Sequence, residues 1–278
     1  MDTRKVNMVN GGNLILKSNF WLQVFFPIFG LLQLQGDLTK KKQLLFYFNK
    51  IDVSGAVDVF IQPGDRNEQA TIYADSSIMD NISLVVRDRT LFVDANNTFD
   101  LTRRLPFLKL SAERTFPVEI LINAEKLEEI RVSERSNVTL SDLHSRRLSI
   151  FANGTGRVHL DDSAIDTLFI RQDGSGPIVL KSKEVSSLEL IVIGDGLIYA
   201  QELPVDRAKI VHRGNSNIEI NPIEFLDSRI FGQGNILLHQ TPKNIVVSQK
   251  GTGSVVDVIP DNPQIYDFNA TRPGFSGQ

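Results

Sequence analysis

The sequence predicts an all-β fold, a β-solenoid of coils of about 20 residues wound right-handed, with a strand-rich portion ahead of it. Three observations predict it. A Gly-x-Gly triplet, one free position and an apolar-x-apolar pair recur at Gly154 (GTGRVHL), Gly174 (GSGPIVL) and Gly194 (GDGLIYA), 20 residues apart. The frame extends to Gly214 (GNSNIEI), Gly232 (GQGNILL) and Gly251 (GTGSVVDV), the last two steps being 18 and 19 residues, and backwards to Glu134 (ERSNVTL). Helical periodicity is sustained nowhere, whereas apolar residues two apart recur throughout, which is the period of a strand with one buried face.

Aligning the copies gives columns. Val138, Val158, Ile178, Ile198, Ile218, Ile236 and Val255 follow the triplet, and Leu140, Leu160, Leu180, Ala200, Ile220 and Leu238 stand two further on, with Asp257 breaking the last copy. Four residues before each triplet stand Ile130, Ile150, Ile170, Leu190, Ile210 and Val247, with Ser228 as the exception. Each repeat therefore reads as strand, Gly turn, strand and polar bend. Glycine suits such a turn by accepting positive φ, and Asn137, Asn217 and Asn235 follow it as ordinary turn residues. One unit cannot bury its own apolar face, but stacked units cover one another. A leucine-rich horseshoe would need a Leu-rich frame with a helical return, and a propeller needs repeats of about 40 residues. No Lys-Ser/Thr follows the glycines, so they are corners rather than a phosphate cradle.

Taken from the start, residues 1–36 read as a signal peptide or an uncleaved membrane anchor. Arg4, Lys5 and Lys17 precede the apolar run Asn19 to Leu34, the arrangement of a secretory leader. No A-x-A cleavage site follows, Pro27 and Gly30 interrupt the run, and TKKKQ (Thr39 to Gln43) lies just beyond. Residues 37–126 form the strand-rich part. GAVDVFIQPGD (Gly55 to Asp65) alternates and then turns, ATIYAD (Ala70 to Asp75) gives another strand, and SSIMDNI offers at most one helical turn. ISLVVRDRTLFVDAN (Ile82 to Asn96) gives two strands joined at Arg87 to Thr90, and FPVEILINAEKLEEIRV (Phe116 to Val132) leads into the repeats. Residues 127–259 hold the repeated coils. Residues 260–278 are an irregular cap or tail, with Tyr266 or Phe268 placed to cover the last layer.

The order of these strands resembles the head GIN domain family, the auto-transporter adhesin head domain of bacterial envelope proteins. Phe48, Gly55, Val57, Val59, Ile61, Gly64, Asp65, Leu91, Val93, Leu127, Ile130, Val132 and Ser133 carry the match, which covers about Phe46 to Val258. ERSN stands where the family has a Gly/Ser-rich turn. The resemblance implies a β-helix-like stack, export to the periplasm, outer membrane or exterior, and an adhesion role.

Composition narrows the chemistry. The 278 residues carry a net charge of −3, which gives no general attraction to nucleic acid. There is no cysteine, so disulfides, thiolate nucleophiles, cysteine-based metal sites and acylation of a cysteine are excluded. His144, His159, His212 and His239 fall in different columns, unlike a shared metal site. Asp142, Asp161, Asp162, Asp173 and Asp195 are the carboxylates a glycosidase would draw on, but adjacent Asp residues at a bend are commonly turn formers. No G-x-S-x-G elbow is present. Sequons at Asn81, Asn96, Asn137, Asn153 and Asn269 are ordinary turn asparagines in a bacterial protein.

The expectation is therefore a non-enzymatic envelope or secreted binding module, with no catalytic, cofactor or metal residues. Its partner would be a glycan or cell-surface component, met through outward positions such as Arg157, His159, Arg171, Glu189, His212, Arg213 and Glu219. Membrane contact would run only through the N-terminal apolar segment. A carbohydrate-active β-helix enzyme and a self-associating structural element are the alternatives.

Overall fold

The strands that alternation predicts are all present, and they join into one sheet that winds on itself. The computed structural model describes residues 38–66, 68–95, 98–100, 113–124 and 126–258. The leader, the tail with Tyr266 and Phe268, and the sequons at Asn96 and Asn269 lie outside the described residues.

Strand β1 (Leu38–Leu44) precedes β2 (Lys50–Gly55) and β3 (Asp58–Gln62), which flank a turn at Gly55. The chain then leaves through Pro63-Gly64 into β4 (Gln69–Asp75). A 3-10 turn at Met79–Asn81 is the only helix among the described residues. β5 (Ile82–Arg87) and β6 (Thr90–Ala95) form an antiparallel hairpin. Asp88 and Arg89 have φ of 48° and 60°, the pair of positive values that a two-residue type I′ loop requires. β7 (Thr98–Asp100) and β8 (Glu113–Thr115) pair as a separate ribbon. β9 (Val118–Asn123), β10 (Glu129–Val132), β11 (Asn137–Ser141) and β12 (His144–Ala152) lead into the long strands β13 (Val158–Gln172), β14 (Ile178–Val192), β15 (Ile198–His212) and β16 (Ile218–Ile230). β17 (Ile236–Leu238), β18 (Asn244–Gln249) and β19 (Val255–Asp257) complete the described chain.

Two parallel ladders flank the Gly turns. On the entry face, where the chain runs into each turn, the order is β5–β6–β2–β10–β12–β13–β14–β15–β16–β18. On the exit face it is β1–β4–β9–β3–β11–β13–β14–β15–β16–β17–β19. Stack order departs from chain order at the start. β6 and β9 come later in the chain than β2 and β3, yet lie outside them, and β10 then climbs past to pair with β2. Parallel pairing in exact register, Ile130 on Ile51 and Val138 on Val59, carries the repeat columns into this earlier portion. β1, β4 and β5 run antiparallel and terminate the stack at that end.

The glycines serve a purpose other than the one expected. Gly55, with φ of 105°, is the only glycine with positive φ among the described residues. The repeat glycines are needed because successive turns touch backbone to backbone. A Cβ on Gly174 would strike the Gly154 carbonyl, one on Gly176 the Gly156 carbonyl, and one on Gly253 the Gly234 carbonyl, each nearer than 3.0 Å. The same closeness lets each turn hang from its neighbour: Gly176 N donates to Gly154 O at 3.1 Å and Gly234 N to Gly214 O at 3.2 Å. The asparagines after the turn continue the pattern with side chains. Asn137 Oδ1 accepts from Arg157 N (2.8 Å), Asn217 Oδ1 from Asn235 N (3.0 Å) and Asn235 Oδ1 from Ser254 N (2.9 Å).

The polar bends are not breaks. β13, β14 and β15 each run 15 residues through the bend, with bulges such as the register shift between Leu160 and Ser163. A bulge turns a strand while pairing resumes beyond it. Buried Ser163 secures this one, donating to Asp161 O at 2.9 Å and accepting from Leu143 N at 3.1 Å. Asp142 and Asp162 sit at φ of 55° and 40°, a region that Asp tolerates better than most residues.

The predicted columns fill the interior, and Ile170 and Leu180 are both fully buried. Ser228 stays buried in its column, and Asp257 does so by accepting from Thr241 Oγ1 at 2.6 Å. His212 contradicts its expected outward position: it is fully buried. The reason is parity, since it lies two residues beyond Ile210 and pairs in register with Val192 and Ile230, all inward. Its ring fills the corner beside Gly234, where a Cβ would collide with it, and neither ring nitrogen has a hydrogen-bond partner within good geometry. Gln172 occupies the same column two coils earlier and donates to Gly176 O at 2.5 Å. Burial pushes the His212 pKa below 6.5, outweighing the opposing pull of the Ser216 backbone and Asp195.

Three outcomes are expected in denaturant titrations. Gly176→Ala should lose at least about 1–3 kcal/mol through overpacking, whereas exposed Ser175→Ala should stay within about 0.5 kcal/mol. Leu180→Ala should lose about 2–5 kcal/mol, as for other buried leucines. The unfolded chain binds a proton at His212 more readily than the folded one, so stability should fall as pH drops below about 6.5. His212→Val should remove that part of the pH dependence, and an unchanged profile would exclude His212 as its source.

Candidate functional site

Outward side chains on the two faces form regular rows, because register stacks each above its equivalent about 4.8 Å away. On the entry face one row reads Phe92, Asp52, Arg131, Phe151, Arg171 and Ile191. A groove of about 480 Å³ runs along it, lined by Asp52, Arg131, Phe151, Asn153, Arg171 and Asp173. Its arginines are answered locally. Arg131 Nε pairs with Glu129 at 2.8 Å and its guanidinium lies 5.5 Å from the centre of the Phe151 ring. Phe151 meets Phe169 at 5.7 Å, and Arg171 Nε pairs with Asp173 at 2.8 Å. Burial raises the Asp52 pKa, Glu129 adds to the rise, and Arg131 opposes it.

Asp52 and Asp173 are the two carboxylates this groove shares. Three layers separate Asp52 from Arg171, the close neighbour of Asp173. That is about 14 Å of stack, beyond the roughly 5–9.5 Å that glycosidase carboxylates need. Asp52 was not legible as a site residue, being one polar position in an alternating strand.

The exit face differs. A groove of about 440 Å³ is lined by Asp58, Phe60, Asn137, Thr139, Thr155, Arg157, His159 and Pro177. Phe60, Thr139 and His159 stack in register in one row, with Asp58, Asn137 and Arg157 beside them towards the turn. Asp58 accepts from Asn137 Nδ2 at 2.7 Å. The Arg157 side chain has no ionic partner among the described residues, and His159 Nε2 is shielded from solvent without a hydrogen-bond partner.

The other candidates disperse. Asp162 pairs with Lys183 at 3.0 Å, and Asp195 Oδ1 accepts from Asn215 N at 3.0 Å. Asp142 and Asp161 sit at bends, where Asp142 O lies 3.1 Å from His144 Nδ1. His239 pairs with Glu219 at 3.0 Å. Glu189 pairs with Lys209 at 2.9 Å, and Arg213 lies 5.1 Å from the centre of the Phe231 ring. No group of His, Asp and Glu among the described residues is arranged to hold a metal ion. No helix among them is long and apolar enough to cross a membrane.

Comparison with known proteins agrees with this architecture. A crystal structure from Bacteroides fragilis described as a "putative adhesin" superposes with a TM-score of 0.66 at 22% identity, covering 80% of this chain and 97% of that one. A "putative adhesin" from Parabacteroides distasonis gives 0.57 at 20% identity, over 81% and 98%. A "putative lipid binding protein" from the same species gives 0.57 at 19%, over 80% and 98%. These likenesses show the fold. No curated protein matches the chain. The family described as "Putative auto-transporter adhesin, head GIN domain" matches residues 47–242, and with that span, the stacked strands and the Gly turns, the chain belongs to the head GIN domain family.

Proposed function

We propose that this protein is an exported, non-enzymatic binding module of adhesin type that holds a glycan of a cell surface along the side of its stack. The exit-face groove carries the reading. In the entry-face groove Arg131 and Arg171 are paired by Glu129 and Asp173, whereas Arg157 has no ionic partner among the described residues, His159 Nε2 has no hydrogen-bond partner, and both residues line a groove with exposed Phe60. A shielded polar atom without a partner costs stability, as at His159 Nε2, and exposed Arg157 beside it is open to donate to a ligand. An aromatic ring beside hydroxyl, amide and guanidinium groups suits the mixed apolar and polar faces of a sugar, and rows at regular spacing suit an extended chain. The family description supports the adhesin role. In this reading residues 1–36 direct the chain out of the cytoplasm or hold it at the envelope. The lipid-binding description of one similar structure fits less well, since Leu160, Leu180 and their neighbours fill the interior.

A glycan array followed by calorimetry tests the proposal. Arg157→Ala should weaken binding about 10–100-fold, the range for losing a hydrogen bond to a charged group, and Phe60→Ala should weaken it as well. Arg171→Ala on the opposite face should leave affinity unchanged. Absence of binding to any glycan or cell surface, or hydrolysis of a bound polysaccharide, would reject the reading.

A further inference from the structure

Phe46, Leu38, Leu44 and Tyr47 are 83%, 71%, 60% and 57% exposed, more than any other large apolar side chain among the described residues. All four fall within ten residues, and Lys40, Lys41 and Lys42 stand between them, exposed as well. The segment includes β1, the last strand of the exit-face ladder, which pairs only with β4 among the described residues. Within β1 only Gln43 turns partly inward, donating to Leu84 O at 2.9 Å, and just beyond it Leu45 packs on the core, while Lys40 Nζ lies 5.3 Å from the centre of the Tyr73 ring. Lys41 and Lys42 have no acidic partner among the described residues.

Lysines on an edge strand commonly guard it against pairing with other chains. That role accounts for the charges but not for the apolar side chains around them, since exposing Phe and Leu beside a guard strand weakens the guard. Aromatic residues interleaved with lysines instead match the bilayer interface, where rings sit at headgroup depth and each lysine is drawn to anionic lipid. The sequence places the apolar run Asn19 to Leu34 immediately before this strand.

We infer that Leu38 to Tyr47 is a membrane-docking edge that seats the N-terminal end of the stack on an anionic bilayer. The exit-face ladder from β1 to β19 holds eleven strands, so the far end stands about 48 Å from β1. Phe60 on β3 and His159 on β13 lie three and five strands from β1, about 14–24 Å above it. Docking at this edge therefore leaves the exit-face groove clear of the headgroups. The inference does not depend on what that groove binds.

The absence of cysteine allows a single label to report local depth. An environment-sensitive dye on Leu44→Cys in the full chain exchanges one apolar group for another, and Val246→Cys serves as the far-end control. Vesicles of phosphatidylcholine mixed with phosphatidylglycerol should shift the Leu44 dye to the blue and leave the Val246 dye unchanged. Phosphatidylcholine alone should give little shift, and added salt should reverse it. Each lysine changed to Gln among Lys40, Lys41 and Lys42 should lower the apparent affinity about fivefold at low salt, and Phe46→Ser with Tyr47→Ser should reduce the shift with the lysines intact. No shift on the anionic vesicles, an equal shift in the triple Lys→Gln variant, or a shift on concentration without vesicles, as self-association would give, overturns the inference.

Discussion

The structure depends on the contact between successive turns. Each Gly-x-Gly lies so close to the turn before it that a Cβ would overlap a carbonyl. Turn amides can then reach turn carbonyls directly, as Ser175 N and Gly176 N both reach Gly154 O at 3.1 Å. Strands leaving both sides of the turn inherit that spacing and pair without a gap. In-register columns follow, since Val158 can only sit on Val138, and Ile170 on Ile150, if the turns between them superpose. The shorter last steps of 18 and 19 residues keep the turns superposed and shorten the far side of the coil, where β16 spans 13 residues instead of 15 and the next coil is divided into β17 and β18.

That constraint separates the two kinds of outward row. Stacking places like above like at fixed distance, so charges can neutralise across coils. Lys209 with Glu189, Lys181 with Glu202 and Lys243 with Glu224 are such pairs. Exposed pairs of this kind add about 0–1 kcal/mol each, so they smooth the surface more than they hold the fold. Where the ladder carries no such answer, as around Arg157 and His159, the side chains are available to something else.

The two ends of the stack are also unlike. At the N-terminal end the ladders close through antiparallel β1, β4 and β5, which stops parallel addition. Placing β6 and β9 outside β2 and β3 buries Val53, Val59 and Ile61 on both sides. At the other end β18 leaves Ile245 and Val247 only half-buried, in positions where earlier coils are fully covered.

Much of this was legible in the sequence. A repeat of 20 residues with apolar residues two apart admits few folds, and Ile170, Leu180 and Ile198 could be assigned to the core from spacing alone. The Asp88-Arg89 hairpin and the Met79–Asn81 turn also followed from local patterns. His212 was legible in principle, by its parity with Ile210, but its polar character argued the other way. What only the tertiary structure decided was non-local. Period reports that coils stack, not in what order, so the placement of β6 and β9 outside β2 and β3 could not be read. The reason for the glycines was hidden too, because a close approach between chains 20 residues apart leaves the same residue in the sequence as a positive φ. The exit-face groove was hidden for the same reason: Asp58, Asn137 and Arg157 are distant in sequence, and only lateral hydrogen bonding between coils brings them side by side.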